Sequence, residues 1–97
     1  MGTLSAEDLA EVKKLAGLFF SPREIAIMLD FDPDGFARAC KIRLVAPDVF
    51  DAYHGGKLQE EMLLRQSIRE LAKKGSTPAQ TAIVDLINRV NAQIQER

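Results

Sequence analysis

Cysteine, histidine and tryptophan are nearly missing from this 97-residue sequence, which holds one Cys, one His and no Trp. A lone Cys40 closes no internal disulfide, and with His54 the only imidazole there is no set of soft ligands at zinc spacing. Cys40 lies among Phe36, Ala37 and Ala39 in an apolar helical pattern, which predicts a buried small hydrophobe rather than a reactive thiol. No Ser or Cys beside His54 carries a nucleophile signature, so His54 reads as a surface or half-buried residue. Long apolar runs are missing too. None reaches the roughly 18 residues that span a bilayer. The opening "MGTLSAEDLAEVKK" lacks a basic stretch followed by an apolar one, which argues against a secretory signal and for an intracellular protein with no membrane partner. "GGK" at 55–57 resembles the end of a phosphate-binding loop, but the further glycine such a loop needs falls on Asp51. With no triad, metal cluster or paired-carboxylate site to assemble, the expectation is a non-enzyme with no cofactor and no metal.

A basic excess is also absent. Residues 1–46 carry six Lys or Arg against seven Asp or Glu, not the balance usual in a nucleic-acid-binding domain. The chain as a whole has a net charge of −1, with 46% hydrophobic and 28% charged residues. That composition belongs to a folded globular chain of one small domain, or one domain with an appendage.

What is present is helix punctuation. Ser21-Pro22-Arg23-Glu24 is a capping box with Pro at the first helical position, and Thr77-Pro78-Ala79-Gln80 repeats the pattern with Gln80 in the reciprocal role. Asp32-Pro33 offers an acidic cap, and Ser5 opens a first helix with Glu7 and Asp8 in its first turn. Apolar residues recur at helical spacing in each segment: Leu9, Val12, Leu15, Ala16 and Phe19; Ile25, Met28 and Leu29; Phe36, Ala39, Cys40 and Leu44. A long helix is expected over 48–74, closed by Lys73, Lys74 and a left-handed Gly75, and a final one over 78–95 with Ala79, Ile83, Leu86, Val90 and Ile94 on its apolar face. "KIRLV", Lys41 to Val45, is the sole strand candidate and reads equally as the end of the third helix. The fold class is all-α.

The segment "SPREIAIMLDFDPDGFARAC" fits the packing logic of a helix-turn-helix. Ala26 is the small residue at the crossing, Ile25 and Leu29 flank it, Phe31 plugs the corner, and Phe36 and Ala39 face inward. Asp30 occupies the corner where a positive φ favours glycine, a conformation aspartate tolerates better than most residues. Residues 1–46 therefore read as a three-helix helix-turn-helix head, and 47–97 as a helical hairpin for oligomerisation. The outward face of the third helix offers Asp32, Pro33, Asp34, Ala37, Arg38 and Lys41, of which only Arg38 and Lys41 pair with phosphates or guanine edges. Arg23 and Arg43 are the candidate phosphate holders beside them. On the long helix, the breadth of the apolar face at Leu63, Leu64 and Ile68 points to subunit contacts.

"AYHGGKLQEEMLLRQSIRELAKKGSTPAQTAIVDLINR", Ala52 to Arg89, resembles the segment that follows the helix-turn-helix in small terminase subunits of tailed bacteriophages. The Ala-Tyr, Gly-Lys, Leu-Arg and "LAKxGSxPAQ" elements occur here in that order. The resemblance implies a non-enzymatic protein in the cytoplasm of a bacterial host. It would bind viral double-stranded DNA for packaging, assemble into a homo-oligomeric ring, and recruit and regulate the large terminase subunit. A small dimeric transcriptional regulator with the same motif, or a helical interaction module that binds no nucleic acid, are the alternative readings.

Overall fold

The computed structural model describes residues 4–95. Five helices follow one another: α1 (Ala6–Gly17), α2 (Pro22–Leu29), α3 (Pro33–Lys41), α4 (Pro47–Lys73) and α5 (Thr77–Gln95). No strand occurs among the described residues; "KIRLV" is the last residue of α3 followed by a turn.

The helix starts follow from local chemistry. Ser5 Oγ accepts from the Asp8 amide at 3.1 Å while the Asp8 carboxylate accepts from the Ser5 amide. Ser21 and Glu24 exchange the same two bonds at 3.2 and 2.9 Å, and accepting the Ser21 amide holds the Glu24 carboxyl below its ordinary value. Asp32 caps α3 by accepting from the Gly35 amide at 2.9 Å. The expected cap of α5 is one residue out. Ser76, not Thr77, accepts from the Ala79 amide, and Gln80 turns away from the cap to donate to the Ala72 carbonyl at 3.1 Å.

Three helices end in one hydrogen-bonded reversal, the Schellman arrangement. After α1, the Phe20 amide donates to Leu15 and that of Phe19 to Ala16; after α2, Phe31 donates to Ala26 and Asp30 to Ile27; after α4, Ser76 donates to Leu71 and Gly75 to Ala72. The left-handed residue differs each time: Phe19 at φ 66°, Asp30 at φ 60° and Gly75 at φ 95°. Glycine takes this conformation freely and aspartate tolerates it, whereas a bulky aromatic is an outlier that costs about 1–3 kcal/mol.

The chain divides into two units, Met1–Glu61 and Met62–Arg97. The first extends past Ala46 into α4, because Val49, Tyr53 and Gly56 are buried there. Its core is Val12, Ala16, Ile25, Ala26, Phe36, Ala39, Cys40, Val49 and Tyr53, with Leu9, Leu15, Phe20, Leu29 and Phe31 packed against it. Five members of the expected apolar stripes are exposed: Phe19, Met28 and Leu44 in the first unit, and Val90 and Ile94 of α5, where one neighbouring helix covers only part of the face. Phe19 is 51% exposed, because α1 has already ended and the reversal turns Phe20 inward instead; Leu44 is 89% exposed in the turn after α3.

At Gly56 α4 crosses α1 so closely that a methyl group there would collide with the backbone of Lys13, while at Gly17 one would meet the Gly56 carbonyl oxygen at 3.3 Å and the Glu60 side chain. Neighbouring Gly55 faces open space. The "GGK" sequence thus contains a helix crossing rather than a phosphate loop. In the second unit, the distal part of α4 and α5 bury only Ala79 among the described residues. Ile68, Ala72, Ile83 and Leu86 are half-buried, and Leu63, Leu64, Leu71, Val84 and Ile87 are exposed.

Candidate nucleic-acid interface

α2 and α3 are joined by Asp30, Phe31 and Asp32, and the corner is built from ring and methyl packing. Ala26, Phe36 and Ala39 are fully buried, and the Phe31 ring lies 5.7 Å from that of Phe36. With Phe36, Ala39 and Cys40 turned inward, helical geometry leaves Asp34, Arg38 and Lys41 on one outward stripe, three and four residues apart. Ala37, expected on the outward face, is half-buried at its edge.

The acidic start of α3 is accounted for residue by residue. Asp32 spends its carboxylate on the helix cap. Asp34 receives the Arg23 guanidinium of α2 at 2.6 Å. Both partners are largely exposed, so this pair contributes little to stability, but it neutralises the charge that would repel a phosphate. Arg38 and Lys41 are exposed and enter no ion pair among the described residues. The stripe therefore carries two unneutralised cations in the second half of α3.

The two phosphate-holding candidates are differently engaged. Arg23 is held by Asp34. Arg43 donates from Nε and a terminal nitrogen to the two oxygens of Asp51, both at 3.2 Å, a bidentate pair that ties the turn after α3 to the first turns of α4. The bond from Arg43 holds the Asp51 carboxyl below its ordinary value of 3.8, and the same bond raises the Arg43 guanidinium. Nothing local announced either pair: the partners are eleven and eight residues apart and lie on different elements, outside any helical periodicity.

Behind this face, His54 of α4 donates from Nε2 to the Cys40 carbonyl at 2.7 Å, which requires the tautomer with its proton on Nε2. Its ring centre lies 4.2 Å from that of Phe50, tilted by 42°, and 5.0 Å from that of Tyr53, edge-on. The last turn of α3 is thereby fixed to α4. Cys40 is buried, as its pattern predicts, and burial pushes its thiol up to about 12. Among the described residues no group of His, Cys, Asp and Glu suits a metal ion, and no helix is long and apolar enough to cross a membrane.

The oligomerisation candidates divide: Leu63 and Leu64 are 47% and 53% exposed, while Ile68 is half-buried. Comparison with family models, with curated proteins and with solved structures finds no match for this chain.

Proposed function

We propose that this chain is a DNA-binding protein of small-terminase type. α2 and α3 act as its helix-turn-helix, the distal part of α4 and α5 act as a hairpin for self-association, and the assembled protein engages viral double-stranded DNA for the large terminase subunit in a bacterial host's cytoplasm. The observation that carries the reading is the outward stripe of α3: its acidic start is consumed by a helix cap and by Arg23, leaving Arg38 and Lys41 available to a phosphate backbone. Two cations support only weak contact by one copy, and repetition of the site on one assembly raises the effective affinity by orders of magnitude without new contacts. The exposed leucines of α4 and the exposed Val84, Ile87 and Ile94 of α5 support that assembly.

DNA binding measured against salt tests the reading. Arg38→Gln with Lys41→Gln should weaken binding to all sequences alike and flatten the slope of log K against log salt by about 0.9 per lost contact. Asp34→Asn should tighten binding, since it removes an anion and releases Arg23. Retention of parental affinity by the double variant at every salt concentration sinks the proposal.

One observation favours a protein-interaction module instead. Residues 1–61 carry seven Lys or Arg against eleven Asp or Glu, a net −4 that opposes long-range attraction to DNA. Absence of DNA binding at low salt by an oligomeric parent would select this second reading. A dimer that binds one palindrome would select a transcriptional regulator.

A further inference from the structure

Ile42, Leu44 and Val45 form an apolar tip in the turn between α3 and α4. They are 43%, 89% and 46% exposed, and Leu44 is the most exposed large hydrophobic side chain among the described residues. One leucine on a surface is ordinary, whereas three apolar residues within four consecutive positions, held outward by a fixed backbone, mark a contact site. The turn is fixed along its length. The Ile42 amide donates to the Arg38 carbonyl at 2.9 Å, the Val45 amide to Ile42 at 3.1 Å and the Phe50 amide to Ala46 at 3.0 Å. Arg43, the polar member of the four, spends its guanidinium on Asp51, and the Cys40 carbonyl just before the turn is held by His54. These ties keep Leu44 away from the core.

The tip has cations beside it, although its unit as a whole is acidic. Residues 35–47 hold Arg38, Lys41 and Arg43 and no Asp or Glu. A cleft of about 330 Å³, lined by Gly35, Arg38, Val45 and Ala46, joins the outward stripe of α3 to the turn, so Arg38 and the apolar tip border one surface. The acidic residues that flank this stretch are already engaged. Asp34 is held by Arg23 and Asp51 by Arg43, while Asp48 accepts from the Val49 amide at 2.9 Å in the first turn of α4. Two open cations beside an apolar tip match the chemistry of a duplex, which offers phosphates along its ridge and an apolar slot wherever a base step opens. The far end of a helix lying in the major groove meets the phosphate backbone, and a residue three places past that end reaches over the ridge towards the adjacent minor groove.

We propose that Leu44 is an apolar wedge that enters a base step of the bound duplex from the minor groove, next to the phosphates held by Arg38 and Lys41, and kinks the DNA there. The wedge rests on the DNA-binding reading above and adds a deformation to it. Binding then favours steps that unstack easily, the pyrimidine–purine steps, without a hydrogen bond to any base.

The full-length chain and duplexes carrying 2-aminopurine at several TA steps test this. Binding should raise the 2-aminopurine fluorescence as a step opens, and should shorten the end-to-end distance read by energy transfer between terminal dyes. Leu44→Ala removes almost no buried surface and should keep the parental circular dichroism and melting temperature. It is expected to abolish both signals and weaken binding about tenfold, with the slope of log K against log salt unchanged because no phosphate contact is lost. Arg38→Gln with Lys41→Gln should do the converse, flattening the slope while both signals persist at saturation. A parent that binds DNA without opening or bending it, or a Leu44→Ala variant that keeps both signals, overturns the wedge and leaves the DNA-binding reading standing. A parent that binds no duplex at any salt concentration overturns both, and leaves the tip to an acidic, apolar peptide.

Discussion

Val12, Ile25, Phe36 and Val49 in the first unit are at most 1% exposed, while Leu64, Leu71, Val84 and Ile87 in the second are 52–56% exposed. The residue types are equivalent; the number of elements around them is not. Three helices and the start of α4 surround a common interior, so each inward side chain meets neighbours from several directions. The second unit has only the rest of α4 and α5, and one line of contact between two helices covers one stripe of each. Apolarity at helical spacing therefore identifies side chains that seek burial, but the number of packed elements determines whether one chain provides it.

The sharpest way to break this comparison is truncation on each side of it. Ile25→Ala should cost about 2–5 kcal/mol, the range for a large side chain removed from a close-packed core. Leu64→Ala should stay within about 0.5 kcal/mol in the dissociated chain, as an exposed substitution does. Urea unfolding at low protein concentration reads both, and equal losses would mean the second unit hides a core of its own. Leu64→Glu extends the test to assembly: oligomer mass by light scattering should fall while helical circular dichroism is retained.

Next in size is the α1–α4 crossing. Gly56→Ala forces a methyl group against backbone that cannot rotate away, for an expected loss of about 1–3 kcal/mol. Gly55→Ala, one residue earlier and facing open space, should gain about 0.5–1 kcal/mol from helix propensity. Opposite shifts in melting temperature from adjacent residues would locate the crossing to a single position.

The smallest effect concerns pH. Asp51 has its folded-state pKa lowered by Arg43, so its contribution to stability is present above the unfolded value near 3.8 and is lost as pH falls through the lowered folded value. Asp51→Asn should remove that acid-limb dependence and change little at neutral pH, since both partners are 58% exposed. Unfolding midpoints between pH 2 and 5 would show whether the slope has gone.

Legibility from the sequence tracked the range of the interaction responsible. Caps at Ser5, Ser21 and Asp32 are satisfied within three residues, so residue type and order were enough. The left-handed Asp30 and Gly75, and the burial of Ala26, Phe36 and Ala39, follow from packing within two adjacent helices. Phe19 misled because periodicity continued one turn beyond the helix that carried it, and Ser76 was overlooked because Thr77 presents the same hydroxyl chemistry beside the same proline. The Arg23–Asp34 and Arg43–Asp51 pairs, and the role of Gly56, depend on where separate helices meet. Those partners lie on different elements, outside any local spacing, and the candidate site changed most for this reason: two of its four cations already have carboxylate partners.

The bond from His54 to the Cys40 carbonyl gives the protein an internal spectroscopic gauge. This is the only imidazole in the chain, and it sits 4.2 Å from the Phe50 ring and edge-on to Tyr53, so ring currents from both move its proton resonances away from those of a free imidazole. Its signal can be followed in an unlabelled sample without overlap from a second histidine. A small displacement of α3 from α4, caused by ligand, denaturant or mutation, would register there before the helices themselves begin to melt.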